Sequence, residues 1–233
     1  PILVKHLTTY FSLGCFFAMA VLASSIDAKG QDPALNLEPL KSCFAAQKKV
    51  RSISADFIQN RSFRTLKSPV TIKGRFWFEM PGKFRWELGD PPKTIILGSR
   101  DGATILKIPQ KRAEKVAFDS KKTMGATEFL KMMDLNSQQS VEDFSKHMNI
   151  LSLKPIGNAY RLEMLPKDPA IAKNLTAIRL DFLAESGQWI GFEFLTKDGS
   201  SMRTDFSNVR INSKLNSSVF EYDLSGFKID DET

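Results

Sequence analysis

Residues able to do chemistry are few in this chain. Past the first 28 positions it keeps one histidine, His147, and one cysteine, Cys43. A Ser-His-Asp or Cys-His arrangement would have to recruit His147, and no nucleophile-elbow pattern accompanies it. His/Cys groups with metal-ligand spacing are missing, as are the common glycine-rich phosphate loops. Carboxylates do gather, at Glu142-Asp143 and Asp230-Asp231-Glu232. Adjacent side chains diverge in a strand, however, and acids at a chain end are ordinarily solvated. The expectation is therefore no catalytic residue, no metal and no cofactor, so that function has to come from binding.

Material for binding is concentrated in residues 74–92, GRFWFEMPGKFRWELGDPP, where five aromatic side chains surround a proline–glycine pair. Alternate residues of a strand share a face. With Pro81, Gly82 and Lys83 as a three-residue connection, Met80 faces Phe84, Phe78 faces Trp86 and Phe76 faces Leu88. All six then lie on one side. Arg75, Trp77, Glu79, Arg85 and Glu87 take the other, with Glu79 opposite Arg85. A two-residue connection would set Phe78 against Arg85 and mix the faces. The alternation Ile53, Ala55, Phe57 and the sets Ile178, Leu180, Phe182 and Ile190, Phe192, Phe194 supply further large inward groups.

The elements that must position these residues read as short strands. After Ile53–Phe57 and the alternation Val70, Ile72, Gly74, Phe76, Phe78 come candidates at 93–98, 103–108, 148–154, 159–165, 175–183, 189–197, 201–211 and 218–223. The turn sequences MPGK, GDPP, SRDG, IGNA, ESGQ and KDGS punctuate them. Regular short strands with tight turns predict an antiparallel meander that curls into a sheet or partial barrel. Two helices interrupt it. One spans 35–50, with Leu37, Leu40, Phe44 and Ala45 on one stripe, Asn36 able to cap it and Pro39 in its first turn. The other is 126–134, ATEFLKMMD, carrying Phe129, Met132 and Met133, and methionines suit a surface that adapts to variable apolar shapes. A sheet curled over two helices makes either a sealed core or a greasy cleft, and composition leaves both open.

The first segment is expected to be a targeting signal rather than part of the fold, with a retained membrane anchor as the alternative. Lys5 precedes an apolar run from Leu13 to Ala23 and a small-residue exit near Ala23–Ser25 or Ala28, the pattern of a cleaved secretory peptide. Residues 1–28 are thus assigned to the signal and 29–233 to one domain. The apolar run continues beyond Cys15, which argues against lipidation there. Cys43 is left without an intramolecular partner, so the fold must hold by packing. The chain carries a net charge of +7, and removal of Lys5 and Asp27 leaves it unchanged. That charge suits anionic headgroups or an acidic partner, while export argues against nucleic acid.

The stretches SISADFIQ, GRFWFEMPGKFRWELGDPPKTIILGSRDGATI and SSVFEYDLSGFKID resemble, in order, the periplasmic carriers of outer-membrane lipoproteins, the LolA-type family. The resemblance implies an α+β, mainly β fold: an incomplete antiparallel β-barrel closed by helices over a hydrophobic cavity. It implies a monomeric periplasmic chaperone that takes lipoprotein acyl chains from an inner-membrane export complex to an outer-membrane receptor. The candidate lipid contacts are then Phe57, the hairpin residues Phe76, Phe78, Met80, Phe84, Trp86 and Leu88, the helix residues Phe129, Met132 and Met133, and Phe182, Phe192 and Phe194. One departure matters. Met80 stands where the family's typical carrier has an arginine associated with holding the lid. A sensor, or a carrier of other lipids, on the same half-barrel is the alternative reading.

Overall fold

A computed structural model describes residues 35–99, 102–117 and 140–231. Among these residues twelve strands form: β1 (Ser52–Ser62), β2 (Val70–Glu79), β3 (Lys83–Leu88), β4 (Thr94–Gly98), β5 (Gly102–Lys107), β6 (Arg112–Ala117), β7 (Met148–Ile156), β8 (Ala159–Pro166), β9 (Leu175–Leu183), β10 (Trp189–Thr196), β11 (Ser201–Ile211) and β12 (Lys228–Asp231). They build one sheet in the order β12-β6-β5-β4-β3-β2-β1-β11-β10-β9-β8-β7. Hairpins make most of it, as the regular turn sequences predict. The central join is long-range, with Phe57 of β1 opposite Phe206 of β11. The two ends, β12 and β7, are not paired with each other, so the sheet is an open half-barrel.

Helix α1 (Glu38–Gln47), shorter than the expected 35–50, buries Leu40, Cys43, Phe44 and Gln47 in a single stripe at steps of three and four, whereas Ala45, expected on that stripe, is exposed. Asn36 serves this helix from one position before its cap. Leu37 is the cap residue, and the Asn36 Oδ1 accepts from the Glu38 N–H at 3.1 Å. The helix rests on the β9–β10 turn, where the Gln47 Nε2 donates to the Gly187 carbonyl at 2.7 Å. Gly187 has φ 65°, and a β-carbon there would stand 2.9 Å from the Cys43 Cα. Only glycine allows both that turn and that approach.

Helix α2 (Val141–His147) lies where the sequence suggested only paired acids. The Ser140 hydroxyl accepts from the Asp143 N–H at 3.0 Å, and Glu142 and Asp143 fill the first turn, where the helix dipole favours negative charge. The two acids therefore start a helix instead of diverging in a strand. Phe44 of α1 meets Phe144 of α2 edge-on with centroids 5.4 Å apart. A third helical turn, α3, spans Pro169–Ala172. The helix expected at 126–134, with Phe129, Met132 and Met133, lies outside the described residues.

Three expectations need correction. Residues 218–223 are not a strand: the Asn216 side chain accepts from the Ser218 N–H at 3.1 Å and starts a 3-10 turn over Ser217–Phe220. The Val219 and Glu221 carbonyls then go to the Arg85 guanidinium, at 3.0 and 3.1 Å, rather than to a neighbouring strand. Strands β6 and β12 were not anticipated, and they pair in parallel, the exception in an otherwise antiparallel sheet. Finally, the hairpin register differs from the expected one by two residues. Phe78 faces Phe84, Phe76 faces Trp86 and Gly74 faces Leu88, which makes Met80, Pro81 and Gly82 the connection. Glu79 consequently meets Lys83, while Arg75 meets Glu87.

Candidate functional site

A slip of two residues preserves every face, because side chains alternate with period two. The predicted apolar side therefore forms intact. Gly74 stands opposite Leu88, where a β-carbon would collide with the Phe57 ring and the Glu87 carbonyl. The missing side chain lets the Phe57 ring lie against β2 and reach Trp86, with centroids 4.5 Å apart. Gly98 does the same for Phe84, whose ring occupies the place a β-carbon would take.

The inner face gathers the sequence-predicted residues into one cluster. Phe57, Phe76, Phe78, Phe84, Trp86, Phe182 and Phe192 are all buried, with Met80, Leu88 and Phe194 half-buried against them. Phe76 lies 5.1 Å from Trp86, and Trp86 lies 6.2 Å from Phe192. Sequence reasoning did not single out Phe206. Yet this ring contacts four others, with centroid distances of 6.4 Å to Phe57, 6.2 Å to Phe76, 6.1 Å to Trp86 and 5.9 Å to Phe192. Its signal was the alternation Met202, Thr204, Phe206, masked by the interleaved Arg203 and Asp205. Phe182 sits apart from this aromatic group and stacks on Tyr160 at 5.8 Å. Leu40, Phe44, Val141 and Phe144 of the two helices join the cluster from above.

Charged groups concentrate on the outer face. The outer face carries an ion ladder. Asp181, 2% exposed, accepts from Arg161 Nε at 2.8 Å and from Arg203 at 2.8 Å, while Arg179 pairs with Glu163 at 2.8 Å. Burial pushes the Asp181 carboxyl up, but the two guanidinium groups outweigh it and hold it below the ordinary aspartate value. Arg85 also turns outward as alternation requires, pairing with Glu87 at 2.7 Å and reaching the Tyr222 ring at 5.9 Å. Within the inner face, beside Phe57, a short relay is the polar element. The Arg61 Nε donates to the Gln59 Oε1 at 2.7 Å, and the Gln59 Nε2 donates to the Thr204 hydroxyl at 3.0 Å. Cys43 is sealed under α1, and burial pushes its thiol up to about 12. It is inert at neutral pH.

This arrangement offers a broad apolar surface under helical cover, with no acid–base pair directed into it among the described residues. No group of His, Cys, Asp and Glu able to hold a metal occurs among those residues. Residues 48–223 match the family described as outer membrane lipoprotein carrier protein LolA. The chain belongs to the LolA family. The LolA match opens just before β1 and closes at Asp223, taking in the whole sheet except β12. An outer-membrane lipoprotein carrier protein of Coxiella burnetii (strain CbuK_Q154) is 23% identical over 159 residues, or 64% of this chain. The match spans 65% of that relative's length, a little under two thirds. Among solved structures, an uncharacterized conserved protein from Thermus thermophilus superposes with TM-score 0.52 at 8% identity, covering 84% of this chain and 98% of its own. A LolA superfamily protein from Nitrosomonas europaea gives TM-score 0.41 at 11% identity, over 78% of this chain and 96% of its own. The Thermus likeness shows the fold alone. No helix of the described residues is long and apolar enough to cross a membrane.

Proposed function

We propose that the chain is a periplasmic carrier that binds lipoprotein acyl chains on its inner face and conveys them from the inner to the outer membrane without catalysis. In this reading residues 1–28 are a cleaved signal and 29–233 the working domain. An inner-membrane export complex loads it, and an outer-membrane receptor unloads it. The observation that carries the proposal is the pairing of a largely apolar aromatic face with helices for a cover, in a sheet that does not close. Short helices can be displaced without breaking strand pairing, so the same rings can face each other or a guest. Membership of the LolA family points the same way. Met80, in the place where the family's typical carrier has arginine, favours the second reading, a carrier of other lipids on the same half-barrel.

Phe84→Glu tests it. An unpaired carboxylate in a sealed core costs several kcal/mol even after relaxation, against a total stability of about 5–15 kcal/mol for a typical domain. Phe84 is buried, but it lies across Gly98 at the end of β4, near the rim of the sheet. Where the cover opens, water can reach the new charge. The expected outcome is a folded protein by circular dichroism, a modest fall in melting temperature and a large loss of fluorescent acyl-probe uptake. Lys67→Glu, in the exposed β1–β2 loop, should leave uptake within a few-fold. A Phe84→Glu protein that takes up the probe like the parent would refute the inner face as the acyl site.

A further inference from the structure

The strand arginines that are half-buried are matched to carboxylates with one exception. Arg85 has Glu87, Arg161 has Asp181, Arg179 has Glu163 and Glu193, and Arg203 has Asp181 and Asp205. Arg61 has no carboxylate partner among the described residues. It lies on β1 between Val70 of β2 and Met202 of β11, in the same alternation as Phe57 and Gln59, and so on the inner face. Its Nε is committed to Gln59, which is 3% exposed and is fixed in turn by the fully buried Thr204. A guanidinium has five N–H donors in a planar fork, and this relay orients the group while engaging one of them.

Burial lowers the Arg61 pKa from its ordinary value with no neighbouring acid to oppose the change. A half-desolvated cation without a counter-charge is unfavourable unless something supplies the anion. The surrounding sequence does not: residues 57–78 contain no Asp or Glu, although they include Arg61, Arg64, Lys67, Lys73 and Arg75. The planar fork matches the paired oxygens of a phosphate or a carboxylate, and phosphate is the anion that common membrane lipids carry. Directly beyond the relay begin the rings of Phe57, Phe192 and Phe206, since Phe57 precedes Gln59 on its face and Phe192 is the strand partner of Thr204.

An apolar aromatic bed with a fixed, unmatched arginine at its edge is built for an amphiphile with a negative head. We propose that the ligand is an anionic phospholipid-like amphiphile, its phosphate held by the Arg61 guanidinium and its acyl chain laid along Phe57, Trp86 and Phe192. This assignment rests on the acyl-binding reading above and selects its second form, a carrier of other lipids, because lipoprotein acyl chains bring no phosphate.

The test compares phosphatidylglycerol with diacylglycerol, which lacks the phosphate, both bearing the same fluorescent acyl chain, in the parent, Arg61→Met and Arg61→Lys. A charge-assisted contact corresponds to a preference of roughly tenfold or more. The parent should therefore bind phosphatidylglycerol about tenfold tighter than diacylglycerol. Arg61→Met should bring the first down to the second and leave diacylglycerol unchanged, whereas Arg61→Lys should keep a preference. Inorganic phosphate should not displace either probe, because it lacks the chain that the rings hold. Equal binding of the two lipids by the parent overturns the headgroup assignment and leaves acyl binding standing. So does an equal loss of both lipids in Arg61→Met, which would give Arg61 a purely structural role. Displacement by free phosphate would also overturn it, in favour of a simple anion site. Failure of the parent to bind either probe would remove both proposals together.

Discussion

Single residues decide how the aromatic face is assembled, and two of them are glycines. Gly74 and Gly98 are the places where Phe57 and Phe84 lie against the sheet, and a methyl group at either would enter a ring. Overpacking of this kind typically costs about 1–3 kcal/mol. Gly98→Ala should therefore lower the melting temperature by several degrees and weaken acyl-probe uptake at the same time, since Phe84 must move. Chemical denaturation and the uptake assay read the two effects separately. An unchanged Gly98→Ala protein would show that the Phe84 ring has room to leave its present position at no cost. The hairpin itself displays the same logic. Its register was expected two residues away from where it forms, and the Gly74 gap, opposite Leu88, is what the Phe57 ring requires.

At the level of elements, the second half of the sheet is held on its outer face by charge rather than apolar cover. Strands β8, β9 and β11 meet at Asp181, which receives Arg161 and Arg203. An unfolded aspartate titrates near 4, roughly, and the folded Asp181 lies below its ordinary value. Its contribution is thus complete above the unfolded pKa and is lost as pH falls through the folded one. Asp181→Asn leaves two arginines facing each other, and breaking such a buried arrangement costs about 3–5 kcal/mol, less here because Arg161 is partly solvated. Urea titrations should find the variant clearly less stable at neutral pH, with the gap to the parent narrowing on acidification below about pH 4. A gap that is constant with pH would mean the carboxylate charge is not what holds these strands. In the first half of the sheet the outer face is covered instead by the C-terminal tail. Tyr222, Leu224 and Phe227 pack there on Ile95, Leu106 and Ala113.

On the scale of the whole molecule, the join between β1 and β11 makes two runs of hairpins into one sheet, and the inner cluster crosses that join. Residues of β1, β2 and β3 on one side and of β9, β10 and β11 on the other contribute to the same core. The expected result is one cooperative thermal transition, identical by circular dichroism and tryptophan fluorescence. Chelator and thiol reductant should leave it unmoved, because no metal cluster occurs among the described residues and Cys43 is a buried free thiol. Two separated transitions would mean that the halves fold independently. A shift with chelator would mean that a metal holds the fold.

Much of this molecule was legible because its information is periodic. The apolar hairpin face, the stripe of α1 and most of the hairpin strands follow from side-chain spacing and turn chemistry alone, which act over a few residues. The family likeness lay in the same stretches. The actual register was not legible: registers two residues apart present the same faces, so side-chain alternation does not separate them. Phe206 was hidden by its charged neighbours until β11 was placed beside β1. Strand β12 has four residues and an exposed Ile229, and exists because β6 offers it an edge. Glu142 and Asp143 read as neighbours that would diverge in a strand, and it is Ser140 that caps a helix with them. Arg61 carried no sequence signal that set it apart from the chain's other bases. That it faces inward without a carboxylate, while the other half-buried arginines find one, depends on which strands lie next to it, and that was decided by the tertiary fold.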